Sequence, residues 1–172
     1  MKKTDFVVRF AGEGGQGVVT SAEGYAQAAA QTGYHVQTFA TFPSQILGGA
    51  TWTQTHISTS AVLTPGDDLD VLVAFNREAF ETHRHEVRDE GIIVYDSGSF
   101  EPEADDKSFG MPFDELARAT GNARAANMVV MGALAQLADI DQSVFEGFVV
   151  RRFTRGRTND EEIIRSNMQA LS

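Results

Sequence analysis

Phe6-Val7-Val8-Arg9-Phe10-Ala11-Gly12-Glu13-Gly14-Gly15-Gln16-Gly17-Val18-Val19 passes from an apolar run of strand length into four glycines within six residues. A helix-compatible segment, Val18 to Gln31, follows at once. Strand, glycine turn and helix open a βαβ unit, and in such folds the turn is where ligands are received. Gly12, Gly14 and Gly17 satisfy G-x-G-x-x-G. Glycine permits positive φ and close approach, and the new helix presents free N–H groups to an anion. A dinucleotide site also needs an acidic residue about 20 positions on to hold the ribose hydroxyls. The second expected strand, His35 to Phe42, offers Gln37 and Thr38 there. A P-loop fails too, because no Lys-Ser or Lys-Thr pair follows the glycines. Three readings stay open: an anion site, a partner surface, or a tight turn against the sheet.

Composition narrows the class. The 172 residues are 42% hydrophobic and 22% charged, which suits one globular domain spanning residues 1–172. A chain of this size buries about two-thirds of its unfolded surface. A formal net charge of −10 argues against nucleic acid as a partner. Basic residues nevertheless cluster at Arg151, Arg152, Arg155 and Arg157. With no cysteine, disulfides and thiolate-held iron–sulfur clusters are excluded from this chain. The apolar stretch after Lys2-Lys3 is too short for a signal peptide, and no run of 18 apolar residues is present. These features lead to the expectation of a cytoplasmic protein without membrane contact.

Along the chain, Gly33 is expected to close the first helix. Pro43-Ser44-Gln45-Ile46-Leu47-Gly48-Gly49 reads as a second shaped loop, and Thr51 to Ser58 as a β-rich strand. Ala61-Val62-Leu63 is expected as a short edge strand before the turn Pro65-Gly66-Asp67-Asp68. Asp70 to Phe75 and Ile92 to Asp96 read as buried parallel strands. Between them a helix is expected from Arg77 to Arg88, with Gly91 breaking the chain before the second strand. His83 and His85 lie on that charged helix and are expected in solvent. Ser97 to Met111 is expected to be irregular, its acids Glu101, Glu103, Asp105 and Asp106 forming a solvated loop. Helices are expected from Pro112, over Asn127 to Ala138, over Asp141 to Val150, and after Thr158. The second of these regions, Asn127 to Ala138, is apolar around most of its circumference and belongs in the centre of the fold or at a subunit interface. The sum is an α/β, three-layer Rossmann-like domain with a largely parallel sheet.

No Ser-His-Asp or Cys-His arrangement and no zinc spacing is visible. The two glycine loops, expected side by side at the carboxyl ends of adjacent strands, offer backbone donors together with Gln16, Ser44 and Gln45. Few of these groups move protons, so the loops suit binding or docking better than catalysis.

Gly12-Glu13-Gly14-Gly15-Gln16-Gly17-Val18 resembles the G-x-G-G-Q-G signature of the gamma subunit, or gamma domain, of the 2-oxoacid:ferredoxin oxidoreductases. Pro43 to Gly49 resembles that family's loop ending in Gly-Gly, and Asp70 to Asn76 its aspartate-strand-asparagine segment. Asn127-Met128-Val129-Val130-Met131-Gly132-Ala133-Leu134 is similar to its asparagine-led apolar helix, and Asn167 to Leu171 to its terminal helix. The motifs occur in order over nearly the whole chain. One departure concerns the second loop: many members have an arginine just before Gly-Gly and an acid three positions before its first glycine. Here Leu47 and Gln45 stand there, which points to a subgroup acting on an aromatic or otherwise apolar oxoacid.

The resemblance implies a non-catalytic subunit of an enzyme that decarboxylates a 2-oxoacid oxidatively, with coenzyme A as acyl acceptor. Thiamine diphosphate, magnesium and [4Fe-4S] clusters would sit in alpha, beta and iron–sulfur partner subunits, and electrons would pass to ferredoxin or another acceptor. Cofactor-contacting candidates are Gly12, Gly14, Gly15, Gln16, Gly17, Pro43, Ser44, Gly48, Gly49 and Asn127. No catalytic residue or metal ligand is assigned. The basic cluster would add charge for phosphates or form interface salt bridges. The competing classes are a stand-alone nucleotide-binding or regulatory α/β module and a purely structural assembly subunit.

Overall fold

The computed structural model describes residues 4–42, 49–103, 107–137 and 140–172. Its strands are β1 (Asp5–Glu13), β2 (His35–Thr41), β3 (Ala50–Ser58), β4 (Leu69–Ala74), β5 (Val87–Asp96) and β6 (Ser108–Met111). Its helices are α1 (Val18–Gln31), α2 (Arg77–His83), α3 (Phe113–Ala119), α4 (Ala126–Leu137), α5 (Gln142–Phe153) and α6 (Asp160–Leu171). The six strands form one sheet in the order β2-β3-β1-β4-β5-β6. β1, β4, β5 and β6 pair in parallel, while β3 runs antiparallel to both β1 and β2. Only β3 therefore opposes the common direction, and the carboxyl ends of the other five strands share one edge.

Alternation along β1 builds both faces of the sheet. Phe6, Val8 and Phe10 point into the larger core, with Val71, Val73 and Phe75, beneath α1 and α3 to α6. Val7 and Ala11 point into the smaller one, where Leu72, Ile93 and Tyr95 meet Phe80 of α2. Helices on both faces give the three-layer α/β arrangement expected from the sequence. α4 is central: Met128, Val130, Met131 and Leu134 are buried, and it touches α1, α3, α5 and α6.

Several local expectations are corrected. β3 lies between β1 and β2, so the two glycine loops share an edge but do not follow adjacent strands. Ala61 to Leu63 is not a strand, and Leu63 is exposed. The carbonyls just after it are taken by β3 side chains instead of a ladder: Gln54 Nε2 donates to those of Pro65 and Gly66 at 2.6 and 2.7 Å. α2 stops at His83 and passes through a 3₁₀ turn, Arg84–Glu86, into β5, which already contains Arg88 and Gly91. Gly91 does not break the strand. It sits where the β4–β5 register shifts, and a Cβ there would meet the Leu69 carbonyl oxygen at 2.9 Å. The stretch expected to be irregular contains β6, and α5 runs to Phe153.

His83 corrects the expectation of solvent exposure, although His85 is exposed. Arg9 is buried on β1, with Nε and Nη2 donating to Gln54 Oε1 at 3.0 and 2.7 Å and Nη1 donating to Glu86 Oε1 at 2.5 Å. Its guanidinium lies over Trp52, 4.3 Å from the ring centroid. His83 Nδ1 completes the cluster at 2.9 Å from Arg9 Nη1 and 2.8 Å from Glu86 Oε1. The buried cation demands these partners, and that demand draws the end of α2 inward. Burial, aided by the Arg9 charge, lowers the His83 pKa against the pull of Glu86. Protons thus bind the unfolded chain more readily than the folded one below its ordinary value of 6.5. Stability is expected to fall as pH drops from about 7.5 to 5.5, and His83→Gln to flatten that dependence. Thermal melts across this window check it, and equal slopes in both proteins would refute the assignment.

Candidate functional site

The glycine turn is built by its own side chain. Gln16 N–H donates to the Glu13 carbonyl at 3.2 Å, and Gly15 at the third position has φ +100°. That is a type II turn, which requires positive φ there. Gln16 Oε1 accepts from Glu13 N–H at 2.6 Å and from Asn76 Nδ2 at 3.2 Å, tying the turn to the end of β4. Asn76 Oδ1 in turn caps α2 by accepting from Ala79 N–H at 2.8 Å. Gln16, a sequence candidate for ligand contact, therefore commits its amide oxygen to the turn.

Gly17 has φ +91° and starts α1. A Cβ on it would stand 2.9 Å from Asn127 Cβ, so two candidates 110 positions apart, Gly17 and Asn127, pack closely. Gly12 is buried within β1, closely packed against Gln16, Phe75 and Val18. Gly14 and Gly15 have open space around them. Gly49 precedes Ala50, which pairs with Glu13, so the end of the second loop meets the first turn by register. Pro43, Ser44, Gln45, Leu47 and Gly48 lie outside the described residues.

Between the turn, the start of α4 and the α5–α6 connection lies an open cleft of about 750 Å³. Gly15, Gln16, Gly17 and Asn127 line it, as do Arg152, Arg155 and Arg157. Arg151 does not line it and sits back along α5, its Nη1 3.2 Å from the position of a Cβ on Gly147. The structure adds Arg124, Asn122, Asp160 and Asn167, which sequence reasoning missed. These four come from the α3–α4 connection and from α6; no local motif flags Asn122 or Arg124, Asp160 was visible only in the acidic start of α6, and Asn167 only as the first residue of the terminal-helix resemblance, without a site role. The described salt bridges use Arg9, Arg84, Arg88, Arg118, Lys107 and two histidines, and none uses an arginine of the cleft. In a chain of net charge −10, four arginines, Arg124, Arg152, Arg155 and Arg157, gather beside the N-terminus of α1, with Asp114 and Asp160 in the same lining, so the cleft is a local concentration of positive charge.

Asp160 organises the basic loop. Its Oδ2 accepts from the backbone N–H of Arg155 at 2.6 Å and of Arg157 at 3.1 Å, across Gly156 at φ +74°. Burial raises the Asp160 pKa, but these backbone donors outweigh it and hold the carboxyl below its usual value. The concave backbone that would hold an outside anion is thus filled from within. Asp160→Ala is expected to release the Arg155 and Arg157 amides to fast hydrogen exchange, with Asp160→Asn retaining partial protection. Unchanged exchange in the alanine variant would contradict this role.

Asp96, at the carboxyl end of β5, is the other buried acid of this edge. Its Oδ1 accepts from Phe113 N–H at 3.0 Å and Gly98 N–H at 3.2 Å. Burial raises its pKa, with Asp114 and Glu115 adding to the effect against those two bonds. In the acidic loop, Glu101 accepts from Tyr95 Oη at 3.0 Å; Asp105 and Asp106 lie outside the described residues. Among the described residues no group of three His, Asp or Glu is placed to hold a metal ion, and no helix is long and apolar enough to cross a membrane.

Residues 7–172 match the family described as pyruvate ferredoxin/flavodoxin oxidoreductase. The chain belongs to that family. It is 36% identical over 169 residues to ketoisovalerate oxidoreductase subunit VorA of Methanothermobacter thermautotrophicus, covering 95% of this chain and 34% of that protein. It is 27% identical over 154 residues to 2-oxoglutarate synthase subunit KorC of Archaeoglobus fulgidus, covering 88% of this chain and 81% of that one. Among solved structures, 2-oxoglutarate:ferredoxin oxidoreductase from Magnetococcus marinus, with 2-oxoglutarate, coenzyme A and succinyl-CoA bound, superposes with TM-score 0.89 at 34% identity. That match covers 99% of this chain and 30% of the other. The gamma subunit of a keto/oxoacid ferredoxin oxidoreductase from Geobacter sulfurreducens shares the fold, with TM-score 0.75 at 23% identity and 98% of each chain covered. The chain thus spans about a third of the VorA length and most of the KorC length.

Proposed function

We propose that this chain is the single gamma domain, residues 1–172, of a cytoplasmic multi-subunit 2-oxoacid:acceptor oxidoreductase, contributing no catalytic residue. Alpha, beta and iron–sulfur partners hold thiamine diphosphate, magnesium and [4Fe-4S] clusters, and electrons leave to ferredoxin or another acceptor. The absence of cysteine from the chain supports that division of labour. This chain supports assembly and holds the phosphates of coenzyme A. The observation that carries the reading is the basic cleft against the N-terminus of α1, in a chain whose 34%-identical relative binds coenzyme A.

The test is a native pull-down of the tagged chain from its source cells, followed by coenzyme A-dependent dye reduction with a panel of 2-oxoacids. Larger partners with clusters and thiamine diphosphate, and one active oxoacid, are expected. Recovery of the chain alone, with saturable nucleotide binding, would replace the reading with an independent nucleotide-binding module. In the complex, the Arg155→Ala/Arg157→Ala pair is expected to raise the KM for coenzyme A roughly tenfold or more with kcat retained, since each charge-assisted contact is worth about 1.5–3 kcal/mol. An unchanged KM would leave this chain a purely structural assembly subunit.

A further inference from the structure

β2 is an end strand of the sheet and pairs on one side only, with β3. The ladder fixes which of its backbone groups stay open. Thr59 N–H donates to the Thr4 carbonyl at 3.0 Å, continuing the β1–β3 register. Odd-numbered residues of β3 therefore bond to β1 and even-numbered ones to β2. His35, Gln37, Phe39 and Thr41 face Ser58, His56, Gln54 and Trp52, and take up that second ladder. Val36, Thr38 and Ala40 turn their N–H and C=O groups outward, and no described residue bonds to them. Such edges are ordinarily blunted by charge, proline or shortness. β6, at the opposite end of the sheet, is four residues long and includes a glycine. β2 has seven residues and no Lys, Arg, Asp, Glu, Pro or Gly. It exposes Phe39 at 49%, with Phe42 at 67% just beyond its end.

We infer that β2 pairs antiparallel with β2 of a second copy of this chain, about a two-fold axis at Thr38, joining the two sheets into one. Register and charge select this occupant. With the axis at Thr38, Val36 faces Ala40 of the second copy and Thr38 faces its own counterpart, so every outward N–H and C=O group of β2 finds a partner. Sliding by two residues leaves Val36 or Ala40 without a counterpart inside the strand. Copies of a chain with net charge −10 repel one another over most of their surface, and this edge is free of acids. Gln37 and Phe39 face each other across the axis, so the side-chain pairs are neutral as well. The contact is isologous and closes at two copies. It is independent of the coenzyme A reading, which stands or falls on other residues.

The experiment is sedimentation of the full chain over a range of concentrations, with a monomer–dimer equilibrium of roughly micromolar Kd or weaker expected for so small a contact. Thr38→Pro removes an outward N–H and leaves the β2–β3 ladder whole, so it should abolish the dimer while melting like the parent. Phe39→Lys and Phe39→Glu should each be monomeric, and mixing them should restore a dimer, because the two residues lie diagonally across the axis. The chain has no cysteine, so single replacements report proximity directly. Thr38→Cys should cross-link to a dimer on oxidation with diamide, since opposed residues of a bonded pair stand about 5.5 Å apart. Val36→Cys, whose counterpart is Ala40, should not. A parent that stays monomeric up to about 1 mM would overturn the pairing, as would Val36→Cys cross-linking as readily as Thr38→Cys. A monomeric parent whose Thr38→Pro variant loses its larger subunits in the pull-down would overturn it too, giving the edge to a strand of another subunit.

Discussion

Gly132→Ala is expected to destabilise the protein by about 3 kcal/mol, within the upper range of overpacking costs. The sign is what makes the test informative. Glycine in a helix interior is about 1 kcal/mol less favourable than alanine, so propensity alone favours the substitution in α4. A Cβ at this position, however, would stand 2.1 Å from the Leu171 carbonyl oxygen and 2.9 Å from its carbon. These are backbone atoms at the end of α6, and no rotamer change clears them. α6 must move off α4 or the helix must bend, and either loosens the larger core, in which Leu171 and Ala170 are buried. Gly147→Ala in α5 is the matched control. There the nearest atom is Arg151 Nη1 at 3.2 Å, the end of a flexible side chain, so propensity should win by about 0.5–1 kcal/mol. Urea midpoints for both variants decide the matter. A Gly132→Ala protein as stable as the parent would mean that α6 does not close on α4.

What was legible in the sequence was governed by local signals. The apolar run into the glycines set β1, the turn and α1, and the continuous apolar run Val71 to Phe75 set a buried strand. The Gly17–Asn127 contact joins two motifs that the family resemblance had already singled out. What was not legible depends on partners distant in sequence. β6 is four residues, Ser108–Met111, with a glycine and little burial, and it is a strand because β5 offers it a ladder. β3 could be read as a strand, but its insertion between β1 and β2 could not, because alternation fixes faces and not neighbours. His83 looked like one charged-helix residue among several. Its burial follows from Arg9, 74 positions away, needing partners inside the sheet's smaller core. The cleft has the same character, since Arg124, Arg155 and Asn167 converge on the turn through the packing of α4, α5 and α6. The glycine turn, Asn127 and the cluster of arginines signalled parts of it in advance, and one member of that cluster, Arg151, does not line the cleft.

The four glycines of the signature are expected to separate sharply under alanine substitution, with Gly17→Ala costing about 3 kcal/mol. Positive φ at +91° strains any side chain there by about 1–2 kcal/mol. The added methyl would also stand 2.9 Å from Asn127 Cβ, on the first turn of α4, so relief requires the start of that helix to retreat. Arg124 and Ala126 move with it, and the cleft widens on the side opposite the arginine loop. Gly17→Ala should therefore raise the coenzyme A KM of the complex as well as lower stability. Gly12→Ala should cost nearly as much stability, because its methyl would meet Phe75 Cβ at 2.9 Å. It should perturb the ligand less, since Gly12 does not line the cleft. Gly15→Ala adds only backbone strain at φ +100°, about 1 kcal/mol, with empty space around the methyl. Gly14→Ala, with neither positive φ nor a neighbour, should be neutral to within about 0.5 kcal/mol. Denaturation midpoints and the coenzyme A KM, measured on the four variants together, test the whole order. Equal costs at Gly14 and Gly17 would show that the motif is held for some reason other than the turn geometry and the α1–α4 contact described above.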